Sequence, residues 1–130
     1  WAGVSDPLER VFALLAAYRA MLAATNCTYG CPIGSLALEI HEPDPAVREA
    51  LAENFNRWVS AIEACYQAAG SRLPSSLDRR ALAVFTLTIM EGAVMQSRTH
   101  RGLFAYDACT LMLRDHIARL EAAAKDTQHK

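Results

Sequence analysis

Residues 81–95 read ALAVFTLTIMEGAVM, and the β-branched run at residues 84–89 has the composition of a strand. Its neighbours decide otherwise. The apolar spacing continues at helical period on both sides without a turn signal, and nothing nearby offers a strand to pair with, so the stretch reads as helix. Leu82, Val84, Phe85, Leu87, Ile89, Met90, Val94 and Met95 then fall on nearly every side of it. A helix apolar all round is expected to be buried on all sides. The fold class that follows is all-α.

Working outward, four further helices can be placed. Asp6-Pro7 is a cap followed by a first-turn proline, and Leu8, Val11, Phe12, Leu15, Tyr18 and Leu22 recur at helical spacing until Thr25-Asn26. Pro32 starts a short helix carrying Ile33, Leu36, Ala37 and Ile40, which Glu42-Pro43 stops. Asp44-Pro45 repeats the cap-plus-proline start, with Val47, Leu51, Phe55, Trp58, Ile62, Cys65, Tyr66 and Ala69 as a stripe and Gly70 as a left-handed stop. Asp78 caps the central helix. A last helix begins near Gly102, carries Tyr106, Cys109, Met112, Leu113, Ile117 and Leu120, and fades into the polar tail at residues 125–130. About five helices in one domain spanning residues 1–130 is the expected architecture, since 130 residues suit one core and not two.

Composition narrows the function. Thirteen basic against 14 acidic side chains leave a net charge of −1 and no basic stripe, so this chain lacks the electrostatic footprint of a nucleic-acid binder. No segment approaches the roughly 20 apolar residues of a membrane span, and no signal-peptide pattern opens the chain. A cytoplasmic location without membrane contact is expected. Apolar residues amount to 52 %, which leaves some for a partner or ligand.

The candidates for chemistry are few. Cys27 and Cys31 stand four apart beside His41, but tetrahedral zinc needs further ligands, and no second cysteine pair or histidine pair supplies them. Reduced structural thiols are the favoured reading of the 4 cysteines, with a reversible Cys27–Cys31 disulfide as the alternative. Ser35, Cys31, His41 and Glu39 lack the strand and second glycine of a nucleophile elbow. No enzyme, metal or cofactor is expected. Glu91 and Arg98, two turns apart, are either solvent-facing at a helix seam or a polar anchor for a ligand or partner. Trp58, Phe55, Phe85, Met90 and Met95 are either packed core or the lining of an apolar cavity.

The order Gly30-Cys31-Pro32-Ile33-Gly34, Leu36-Ala37-Leu38-Glu39, Asp44-Pro45-Ala46-Val47-Arg48, Trp58, Ala69-Gly70, Leu73-Pro74, Leu82-Ala83 and Glu91-Gly92 resembles the C-terminal regulatory domain of the tetracycline-repressor (TetR) family across most of residues 6–122. The resemblance implies a homodimer whose last two helices meet their two-fold mates in a four-helix bundle, and a small-molecule cavity in each subunit. It also implies that operator binding belongs to a helix-turn-helix, which does not precede Trp1 here. Tyr18, Leu22, Tyr29, Phe55, Trp58, Ile62, Phe85, Ile89 and Met90 are the expected cavity residues, suited to an uncharged apolar or aromatic effector. Gly92, Ala93, Gln96, Cys109, Met112, Leu113, His116 and Leu120 are the expected dimer interface, with Gly92 admitting a neighbouring helix so that Gly92→Leu breaks the dimer. The competing readings are a helical dimerisation module without a cavity and a small helical enzyme.

Overall fold

The structure, a computed structural model, describes residue 1, residues 3–39 and residues 44–128, the side chain of Gln128 excepted. Five α-helices and no strand are found among them: α1 (Pro7–Ala24), α2 (Pro32–Glu39), α3 (Pro45–Ala68), α4 (Arg79–His100) and α5 (Phe104–Gln128), with a single 3-10 turn at Gly70–Arg72. The run at residues 84–89 is helical, lying within α4. No helix among the described residues is long and apolar enough to cross a membrane.

Local chemistry sets the helix starts. Asp6 Oδ1 accepts from the backbone N–H groups of Leu8 (2.9 Å) and Glu9 (3.1 Å), Asp44 Oδ1 from Ala46 (2.8 Å), and Asp78 Oδ1 from Ala81 (2.9 Å). Each satisfies an otherwise orphaned donor of a first turn. Gly70 sits at φ +55, where the absence of a Cβ lets α3 end. The stop expected at Glu42-Pro43, with Ile40 and His41, lies outside the described residues. α5 begins at Phe104 and stays helical through Gln128, further into the polar tail than its composition suggests.

One core joins α1, α3, α4 and α5 through Leu15, Leu22, Ile62, Leu87, Met90 and Leu113. Two buried polar contacts fix its register. Tyr66 Oη lies 2.8 Å from Thr86 Oγ1, which already donates to the Leu82 carbonyl, so the tyrosine is the donor. Tyr106 Oη donates to the Leu15 carbonyl at 2.8 Å and ties α5 to α1. Burial pushes the Tyr66 hydroxyl up to about 12 and raises that of Tyr106 as well. At the surface, Arg72 bridges Asp6 and Glu121, while Arg114 pairs with Glu9 and lies 3.8 Å over the Phe12 ring. Exposed pairs of this kind contribute at most about 1 kcal/mol each and serve mainly to align α1 with α5.

One expectation needs correction. α4 is not covered all round: Val84, Phe85 and Met95 are exposed among the described residues. α2 buries none of its residues fully, and of its apolar side chains Ile33 packs against the core.

Candidate functional site

The site is built by the turn between α1 and α2. Asn26 and Cys27 both take left-handed backbone conformations, φ 48 and 55. Asn26 N donates to the Ala23 carbonyl (3.1 Å) and Cys27 N to that of Leu22 (2.8 Å), the paired bonds of a Schellman stop. This arrests α1 and buries the Cys27 side chain, and the chain then turns at Gly30-Cys31 into α2. Cys31 Sγ accepts from Gly34 N at 3.5 Å, a first-turn contact within α2. The Glu91 side chain reaches from α4 to α2, where a Cβ on Gly34 would collide with Glu91 Oε2.

Beside this contact lies a cavity of about 660 Å³. Its α2 wall includes Gly34, Ala37, Leu38 and Glu39, and Phe55 comes from α3. The α4 wall is Glu91, Gly92, Val94, Met95, Arg98 and Thr99, with Arg101 just beyond. Apolar and small side chains form most of the lining. Charge enters at three places, Glu39 at the end of α2, Glu91 on α4 beside α2, and Arg98 with Arg101 at the C-terminal end of α4.

Burial governs the ionisable groups near this contact. Desolvation raises the Glu91 carboxyl, partly opposed by the Cys31 thiol. Desolvation also raises Cys31, with Glu91 adding to the shift and the Gly34 N–H opposing it. The Tyr18 hydroxyl is pushed up to about 12 by burial, with smaller contributions from Cys31 and Glu91. These three groups form a polar patch that favours neutral forms, so Cys31 is a poor thiolate nucleophile. All four cysteines are free. No group of three or more His, Cys, Asp or Glu is placed to hold a metal ion among the described residues, and His41 lies outside them.

The expected cavity residues separate into three places. Phe55 lines the main cavity. Leu22, Ile62 and Met90 are buried in the core, with Tyr18, Trp58 and Ile89 packed against it. Tyr18 and Trp58 meet edge to face at 5.1 Å, and Trp58 borders a recess of only about 10 Å³ shared with Phe55 and Ile33. Tyr29 is exposed, and Phe85 is on the outer side of α4 with its ring 6.2 Å from that of His116. Helical period marks these residues as apolar but does not say which neighbour each one meets.

The expected interface residues divide similarly. Met112, His116 and Gln96 are exposed. Cys109 and Leu120 are partly buried against the core, while Ala93 and Leu113 lie inside it and cannot face a partner. Gly92 borders the cavity, and among the described residues a Cβ built there meets nothing within 4 Å. Sequence reasoning weighed Glu91 and Arg98 as a polar anchor and Met95 as cavity or core, but left Arg101 out and did not join Glu91, Val94, Met95 and Arg98 as one set of lining residues. A signal for that set was present: the four stand at i, i+3, i+4 and i+7 on one face of a helix.

Residues 7–108 match the family described as the C-terminal domain of LmrA/YxaF-like transcriptional regulators. The chain belongs to this TetR-type family of transcriptional regulator domains. It is also similar to an uncharacterised HTH-type transcriptional regulator found in two strains of Mycobacterium tuberculosis, with 32 % identity over 113 residues. That match covers 83 % of this chain and 57 % of the relative's length, so the chain spans little more than half of the curated proteins it resembles. No solved structure matches it significantly.

Proposed function

We propose that this chain is the effector-binding and dimerising part of a cytoplasmic transcriptional regulator whose DNA contacts are made by a helix-turn-helix outside these residues. One observation carries the reading. α4 holds both ends of an allosteric connection, the cavity wall in its C-terminal half and the exposed Val84 and Phe85 in its N-terminal half. On α5, Leu111 and Met112 are also exposed, Met112 one helical turn before the His116 that meets Phe85, giving apolar surface suited to a two-fold mate and a four-helix bundle. A molecule with an apolar or aromatic body filling the cavity would bias the position of α4, and through the dimer the spacing of two DNA-binding heads. The 660 Å³ of space also weighs against a purely structural module with a filled core.

A thermal-shift screen of apolar and aromatic small molecules, with mass measured by light scattering, tests the proposal. A ligand at about 100 times its Kd adds ~2.7 kcal/mol, which raises the Tm of a domain this size by roughly 10 °C. A dimer stabilised by one chemical class is the expected result. A stable monomer, or a dimer that no compound shifts, rejects it.

A further inference from the structure

We infer that the effector is an amphipathic organic acid, with its apolar body along α4 between α2 and Phe55 and its carboxylate- or sulfonate-type group held by Arg98 and Arg101. This rests on reading the cavity as the effector site. Residues 91 to 100 of α4 extend about 14 Å at the helical rise, with Arg101 just beyond, so the cavity runs along one helix with polar groups placed at intervals along it. Between Glu91 and Arg98 the α4 wall is Gly92, Val94 and Met95, and the facing α2 wall includes Ala37 and Leu38. These give a body of hydrocarbon or fused rings a surface to lie on and nothing to pair a charge with.

The end near the C-terminus of α4 differs. Arg98, in the last turn of α4, and Arg101, the left-handed residue that caps it, both line this cavity. Among the described residues Arg98 has no ion pair or hydrogen bond, and Arg101 spends one donor on the Cys27 carbonyl at 3.3 Å. A guanidinium carries five N–H donors in a planar fork that matches the oxygens of an organic acid. Glu39 and Glu91 also line the cavity, and neither pairs with these arginines. The last-turn carbonyls of α4, which would repel an anion, are partly occupied, since the N–H groups of Arg101 and Gly102 both donate to the Ser97 carbonyl. Two available cations in a largely apolar trough, with Glu39 and Glu91 unpaired to them, select a ligand with a single negative head.

Two dyes of matched skeleton separate this inference from the reading beneath it: anilinonaphthalene sulfonate, which carries the acid, and N-phenyl-naphthylamine, which lacks it. Both are titrated by fluorescence into the chain, into Arg98→Ala, into Arg98→Ala with Arg101→Gly, and into Gly92→Trp. Glycine at 101 keeps the left-handed cap at φ 52 without strain, and tryptophan at 92 fills open space in the cavity. The expected result is tighter binding of the sulfonate, a loss of about ten- to hundred-fold in its affinity when the arginines are removed, unchanged binding of the neutral dye in those variants, and loss of both dyes in Gly92→Trp. If Gly92→Trp abolishes both dyes but the arginine variants leave the sulfonate unaffected, the acidic head is refuted and the effector cavity survives. If neither dye binds, or Gly92→Trp leaves both bound, the cavity reading falls and the inference with it.

Discussion

Phe85→Ser isolates the apolar face of α4 from the core. The ring is 48 % exposed in the single chain, and a phenylalanine presents roughly 150–250 Å², so about 100 Å² is left for a partner to cover. At ~25 cal/mol per Å² that is about 2.5 kcal/mol per copy. A two-fold interface uses the residue twice, giving about 5 kcal/mol, or three to four orders of magnitude in the dimer Kd. Within the subunit the ring's recorded aromatic contact is with His116, at 6.2 Å and 65°, so the substitution leaves the core intact. Sedimentation across a wide concentration range reads the outcome: the variant runs as a folded monomer where the parent runs as a dimer. Leu113→Ser is the contrast, since a residue 1 % exposed is lost to the core, and that variant unfolds early instead of dissociating. If Phe85→Ser keeps the dimer mass through dilution, the face assigned to the partner is wrong.

Other perturbations give sharper readings of single groups. Glu91 titrates above its ordinary 4.5 in the folded chain because burial disfavours its charge. Its stabilising contribution is therefore complete below 4.5 and lost as pH rises through the shifted value; Glu91→Gln should raise Tm at pH 7, with the gain vanishing towards pH 4 in calorimetry. Asp6 shifts the opposite way, held low by the Glu9 N–H and by Arg72, so its contribution is present above 3.8 and fades as pH falls. Asp6→Ala should cost about 0.5–2 kcal/mol at neutral pH by denaturant titration. Ser97 Oγ is buried without a hydrogen-bond partner, so Ser97→Ala should leave the urea midpoint unchanged or raise it. Thr86→Val strands the Tyr66 hydroxyl and should cost more than Tyr66→Phe, which removes one bond of about 1 kcal/mol; adding Tyr66→Phe to Thr86→Val should recover part of the loss.

The helices were legible because their signals are local. The caps at Asp6, Asp44 and Asp78 each act within three residues, and the period through residues 84–89 outweighed its β-branched composition. The site was much less legible. Leu22, Phe55, Phe85 and Met90 present the same apolar signature to a sequence reader, yet one lines the cavity, two are core and one faces outward. Which fate each meets depends on how far apart the helix axes lie, and that distance is set by side chains remote in sequence. Arg101 was missed for a different reason: basic residues near a helix C-terminus complement its dipole anyway, whereas Arg98, two turns from Glu91 on one face of α4, was already weighed with it as a polar anchor.

Because α2 buries no residue fully and packs only Ile33 against the core, the surface that selects the ligand is largely decoupled from the interactions that keep the chain folded. Residues such as Ala37 and Leu38 can be varied with little penalty in stability, since most large losses arise from disturbed cores. A library confined to Ser35, Ala37, Leu38 and Glu39 would alter what the cavity admits while leaving the α4–α5 face untouched. The eight residues of Pro32–Glu39 are accordingly the natural cassette for retuning this chain into a sensor for other molecules.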